Sequence, residues 1–110
     1  MLFKKKVDKE FLEQEIISVL KTVFDPEIPV DIYELGLIYG IKIDNDINTE
    51  IIMTLTAPAC PVAGTLPGEV REKVENAVKD LKSVEVKLVW EPPWNKDMMS
   101  EEAKLNLGFF

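Results

Sequence analysis

The sequence predicts a single α+β domain in which two helices cover one face of a small, mixed three-stranded sheet. Two amphipathic stretches with helical spacing alternate with three stretches rich in β-forming residues, in the order α-β-β-α-β. A turn between the first two strands predicts a hairpin, and a helix between the second and third strands predicts a right-handed crossover. We expect residues 1–8 to form a flexible tail and residues 9–110 to form the one domain.

The first half of the chain contains one helix and two strands. Asp8 can cap a helix over residues 9–23, whose broad apolar face is formed by Phe11, Leu12, Ile16, Val19, Leu20 and Val23. Pro26 and Pro29 exclude a regular helix from the next segment, and a short helical turn over 31–35 is expected to end at Gly36. Strands over 37–43 and 49–56 follow, separated by a turn at 44–48.

The second half contains a helix, a strand and a short C-terminal helix. The helix is predicted over 67–82, with the apolar positions Val70, Val74, Ala77, Val78 and Leu81. Alternation predicts a third strand over 83–90, with Val84, Val86, Leu88 and Trp90 on one face. Pro92 and Pro93 end this strand, and Ser100 can cap the last helix. The two edges of such a sheet favour a homodimer.

Composition excludes several classes of function. The formal net charge of −7 argues against a nucleic-acid partner, because such proteins need a dense basic face. The chain has no histidine, which excludes histidine-based catalysis and zinc sites built from imidazole. No stretch has the length and apolarity of a membrane span. A single cysteine cannot form an internal disulfide, which fits a reducing compartment, most simply the cytoplasm.

That cysteine, Cys60, lies on the connection from the second strand to the second helix. Proline is favoured as the first residue of a helix, so Pro61 suggests a helical turn whose positive end would stabilise a thiolate. Because Pro67 would clash within a continuous helix, we expect a short turn at 61–64 or a kink. A buried cysteine that only fills space fits the same residues, and local chemistry leaves the choice open.

Other candidate residues have the same two interpretations. Asp25, Glu27 and Asp31 offer hard oxygen ligands or could order a site, but they also suit a turn and a solvated surface. Trp94 can dock a partner or pack back over the sheet. Thr56 is, on sequence grounds, an ordinary strand residue.

Three motifs in order narrow these alternatives: D-P-E at 25–27, T-x-x-x-C-P at 56–61, and P-P-W at 92–94 followed by M-S-E-E-A. From about residue 12 to its C-terminus, the chain resembles the SufT-type iron–sulfur assembly proteins, within a wider family of PaaD-like and cytosolic assembly factors. The resemblance implies the iron–sulfur cluster assembly fold. It also implies that Cys60 is the functional thiol, with Asp25, Glu27, Asp31, Thr56 and Pro61 as candidate supporting residues.

The count of ligands limits what Cys60 can do. An iron–sulfur cluster normally takes four thiolates, and this chain supplies one, so Cys60 must share any cluster with another chain or thiol. We therefore expect a non-enzymatic factor that helps deliver a transient [2Fe–2S] or [4Fe–4S] cluster from assembly or carrier proteins to apo clients. The alternatives are a cofactor-free adaptor that recruits clients and a persulfide-carrying thiol enzyme; the lack of histidine weakens the latter.

Overall fold

The computed structural model describes residues 9–24, 30–56 and 65–108. Its elements are α1 (Lys9–Leu20), β1 (Ile38–Ile43), β2 (Asn48–Met53), α2 (Leu66–Ala77), β3 (Ser83–Leu88), a 3-10 turn (Lys96–Met98) and α3 (Glu101–Asn106). This order confirms the predicted α-β-β-α-β arrangement with its short C-terminal helix.

The sheet is mixed, with the strand order β1-β2-β3. β1 and β2 pair antiparallel as a hairpin, with Ile41 beside Ile51, and a bulge interrupts the pairing between Ile38 and Gly40. β2 and β3 pair parallel in continuous register, with Ile51 beside Val86. The predicted hairpin and the connection of β2 to a parallel β3 through α2 are therefore confirmed, while the right hand of that crossover stays a prediction.

The core lies between the helices and one face of the sheet. Ile51 and Met53 of the central strand are fully buried, and Thr49 of the same strand is almost fully buried. The helices meet them with buried side chains spaced three and four residues apart, namely Leu12, Ile16 and Leu20 of α1 and Leu66, Val70 and Val74 of α2. One covered face explains why burial alternates along β2.

Two residues of the predicted helix faces lie outside this core. Phe11 is 59% exposed, because the buried line of α1 runs at intervals of four from Leu12 and leaves the preceding residue to one side. Ala77 is exposed at the end of α2. The sequence pattern correctly identified each helix but overestimated the width of its buried face.

Four elements end earlier than predicted, among them β3, which ends at Leu88 and leaves Val89 and Trp90 outside the strand. After Leu20 the helical bonds of α1 tighten, since the Thr22 N–H donates to the Val19 carbonyl at 2.9 Å. α2 ends at Ala77, because Val78 leaves helical geometry at φ −114° and ψ 86°. β2 ends at Met53, three residues before the predicted end of the strand.

Candidate functional site

The predicted site residues divide into two groups. Asp25, Glu27, Cys60 and Pro61 lie outside the described residues, as does the turn expected at 61–64. Asp31, Thr56 and Trp94 lie within them. The structure therefore describes the chain on both sides of the D-P-E and C-P motifs. We call these flanking residues the frame of the two motifs.

The two ends of the D-P-E segment are held together. The Ile32 N–H donates to the Val23 carbonyl at 2.8 Å, and Phe24 forms an antiparallel bridge with Asp31. One carboxylate oxygen of Asp31 accepts the N–H groups of Tyr33 at 3.1 Å and Glu34 at 3.0 Å. These bonds are those of a capping aspartate, so Asp31 stabilises the turn that follows the motif.

Backbone hydrogen bonds connect this region to the chain leading into the C-P motif. The Leu37 N–H donates to the Ile32 carbonyl at 3.1 Å, and the Leu37 carbonyl accepts the Thr54 N–H at 2.8 Å. Thr56, two residues further on, is half-buried at a bend. The chain on both sides of the D-P-E motif and the chain entering the C-P motif therefore meet at one end of the sheet, where β2 ends and β1 begins.

The P-P-W segment is anchored to the same turn. The indole N–H of Trp94 donates to the Leu35 carbonyl at 2.7 Å, and the Ser100 N–H donates to the Glu34 carbonyl at 2.9 Å. Gly36 ends the turn at φ +81°, as predicted, and its Cα lies against the Met98 backbone. Trp94 is half-buried here. Its packing on the turn is thus structural, and its docking of a partner stays a prediction.

Tyr39 is a residue at this end of the sheet that sequence reasoning missed. Its phenol donates to the Pro92 carbonyl at 2.7 Å and lies 3.4 Å from the Met98 sulfur. Burial, and then the negative charge of Glu91, raises the pKa of Tyr39. Tyr39 is therefore a neutral hydrogen-bond donor at physiological pH. No local signal marks it, because Pro92 is 53 residues away in sequence.

The described residues offer no ready-made metal site. Within residues 9–24, 30–56 and 65–108, no group of three or more histidine, cysteine, aspartate or glutamate side chains could hold a metal ion. None of the helices in these ranges is both long and apolar enough to cross a membrane. The described flanks of the D-P-E motif and the described chain entering the C-P motif meet at one end of the sheet.

Comparison with known proteins identifies the family. The family described as "Iron-sulfur cluster assembly protein" matches residues 13–88. The chain is 53% identical, over 94% of its length and 99% of the relative, to an Fe-S protein maturation auxiliary factor of Porphyromonas gingivalis. It is 40% identical, over 78% of its length and 97% of the relative, to the Fe-S protein maturation auxiliary factor SufT of Staphylococcus aureus.

A solved structure has the same fold. The crystal structure of a domain of unknown function, DUF59, from Bacillus anthracis superposes with a TM-score of 0.85 at 40% sequence identity. The match covers 92% of this chain and 95% of that one. The similarity thus extends over the whole arrangement of helices and strands.

Proposed function

Because the chain belongs to the iron–sulfur cluster assembly protein family, we propose that it acts in the maturation of iron–sulfur proteins and helps to carry or deliver clusters to client proteins. The observation that carries this proposal is the similarity, over nearly the full length of both chains, to a maturation auxiliary factor. The SufT relative supports the same role.

Cys60 is the residue that we assign to the cargo, as a transient ligand or contact. It is the chain's one cysteine, and thiolate is the usual ligand of iron in these clusters. One thiolate of four makes an incomplete ligand set, so the remaining ligands come from a donor protein, a client or a small thiol. Incomplete ligation suits a carrier, because the cluster must leave again.

The frame described above supports a shared site for the two motifs. The chain flanking Asp25 and Glu27 is joined, through Ile32 and Leu37, to the chain that leads towards Cys60. Carboxylates close to a thiol would influence its pKa and the entry of iron. We therefore propose that the D-P-E and C-P motifs act on the same cargo.

The partners we propose are the assembly or carrier proteins that supply the cluster and the apo clients that receive it. We propose that the protein acts without catalysing a covalent reaction of its own, and the lack of histidine weakens the alternative of a thiol enzyme. We place this activity in the cytoplasm, where thiols stay reduced.

Cluster transfer from the purified protein tests the role of Cys60. The protein is reconstituted anaerobically with ferrous iron and sulfide, and then mixed with an apo [4Fe–4S] client enzyme whose recovered activity is measured. We expect Cys60→Ala to abolish both the cluster absorbance and the activation of the client. Ser18→Ala, an exposed change on α1, is the matched control and should behave like the parent protein. Circular dichroism checks that both variants fold.

The adaptor alternative gives a different result in this experiment. A cofactor-free adaptor would show no Cys60-dependent absorbance yet would still bind clients after Cys60→Ala. Full activation of the client by the folded Cys60→Ala variant would refute the role assigned to the thiol.

A further inference from the structure

The outer edge of β3 is open. β3 is the last strand of the sheet, and no further strand pairs with it among the described residues. A cleft of about 700 Å³ touches Val84, Glu85 and Val86 of this strand and Gly68 and Arg71 of α2, and it extends to Lys42 of β1 and Glu50 of β2. A side chain added at Gly68 would meet nothing within 4 Å, so α2 does not close the cleft there. Another strand can therefore reach this edge.

The register with β2 determines which backbone groups point outwards. Met53 is beside Leu88, and the Val89 N–H donates to the Met53 carbonyl at 2.8 Å. In a parallel ladder every second residue of a strand bonds to the same neighbour, so the odd-numbered residues of β3 bond to β2. The N–H and C=O groups of Val84, Val86 and Leu88 therefore face the open edge, available to another strand.

We propose that this edge pairs antiparallel with β3 of a second copy of the chain, with the two-fold axis at Val86. In that register Val86 faces its counterpart and Val84 faces Leu88, and each of these outward-facing pairs exchanges backbone hydrogen bonds. Glu85 then lies directly opposite Lys87 of the second copy, at the closely spaced non-hydrogen-bonded position. The result is a continuous six-stranded sheet.

Charge complementarity selects this partner and this register. A shift of two residues would place Glu85 opposite Glu85, and the opposite shift would place Lys87 opposite Lys87. Repulsion between like charges disfavours both of these registers. Within the monomer, Glu85 is beside Glu50 of β2, whose other neighbour is Lys42. Glu85 thus has a like charge on its inner side, and Lys87 of the second copy would supply the opposite charge on its outer side.

Neither charge is already engaged elsewhere. Glu85 and Lys87 are exposed, and neither forms an ion pair with any other described residue. The opposite edge of the sheet is less suitable, because the bulge between Ile38 and Gly40 interrupts the regular spacing of β1. β3 has six residues in continuous register and no proline, as a pairing edge requires.

Charge reversal tests the proposal, which is independent of the proposed function. Sedimentation of the full chain between about 10 µM and about 1 mM should show a reversible dimer, since six paired residues form a small interface. Glu85→Lys and Lys87→Glu should each weaken it at least about tenfold, because each places like charges opposite one another at two symmetric positions. The double variant Glu85→Lys/Lys87→Glu, and an equimolar mixture of the single variants, should dimerise again.

Two further measurements separate pairing through β3 from a general effect of net charge. Asp46→Lys makes the same change in charge on the exposed β1–β2 turn and should leave dimerisation unchanged. Amide exchange at Val84, Val86 and Leu88 should slow as the concentration rises, whereas exchange at Glu85 and Lys87 should not. A monomer over the whole concentration range would overturn the proposal, and so would a double variant as weakly associated as the single ones.

Discussion

Gly36 shows how a single residue can connect two distant motifs. It ends the turn after Asp31 with φ +81°, a conformation that residues with a side chain rarely adopt. The Met98 backbone, from the segment that follows P-P-W, occupies the space where a Cβ would be. The N–H of Gly36 also donates to the Tyr33 carbonyl at 3.1 Å. The turn can hold the C-terminal segment this closely only because residue 36 has no side chain.

Gly36→Ala should therefore destabilise the protein by at least about 2 kcal/mol, from the strained φ together with the contact on the Met98 backbone. Gly68→Ala is the matched control, since it lies in α2 with open space around it and should be neutral or stabilising by about 0.5–1 kcal/mol. Urea denaturation of both variants measures the difference. Equal stabilities would contradict the role given to Gly36.

The sequence predicted the position of the turn between β1 and β2 but not its backbone conformation. The polar cluster at 44–48 correctly predicted a turn, but it does not reveal that Ile47 would take the positive φ of 66°. Asp44 organises this turn by accepting the N–H groups of Asp46 at 2.8 Å and Asn48 at 2.9 Å. The backbone and side-chain hydrogen bonds from Asn48, and then the one from Asp46, lower the pKa of the Asp44 carboxyl, because they favour its charged form.

Asp44→Ala should lower the melting temperature at pH 7, and the difference from the parent protein should shrink in acid. A carboxyl group with a lowered pKa stabilises the folded state above its unfolded pKa of about 3.9, and this contribution disappears as the pH falls through the folded pKa. Melting curves at pH 7, 4 and 2 measure the trend. Asp46→Ala, whose side chain accepts no bond in the described turn, is the control. A deficit of constant size from pH 7 to 2 would argue against this role of Asp44.

The stability of the whole molecule depends on the one face of the sheet that the helices cover. Ile51 on the central strand is fully buried against the helices, whereas its neighbour Ile52 points to the other face and is half-buried. The free energy of unfolding of a domain of this size is only about 5–15 kcal/mol. A cavity in its core therefore removes a large share of that free energy.

Ile51→Ala should lower the free energy of unfolding by about 2–5 kcal/mol, the cost of a large-to-small change in a packed core. Ile52→Ala removes the same atoms from the other face and should cost clearly less. Denaturation midpoints of the two variants provide the comparison. If Ile52→Ala were equally costly, the other face of the sheet would also have to be packed.

The sequence alone determined the order of elements, the hairpin, the crossover, the turn at Gly36 and the family, because each depends on local spacing or on a motif read along the chain. Tertiary structure decided which of these residues meet. Tyr39 and Pro92, or Trp94 and Leu35, are joined by single hydrogen bonds across more than 50 residues, and no local pattern encodes such contacts. The same holds for Phe11, which has helical spacing but is exposed because the buried line of α1 passes through Leu12, Ile16 and Leu20 instead.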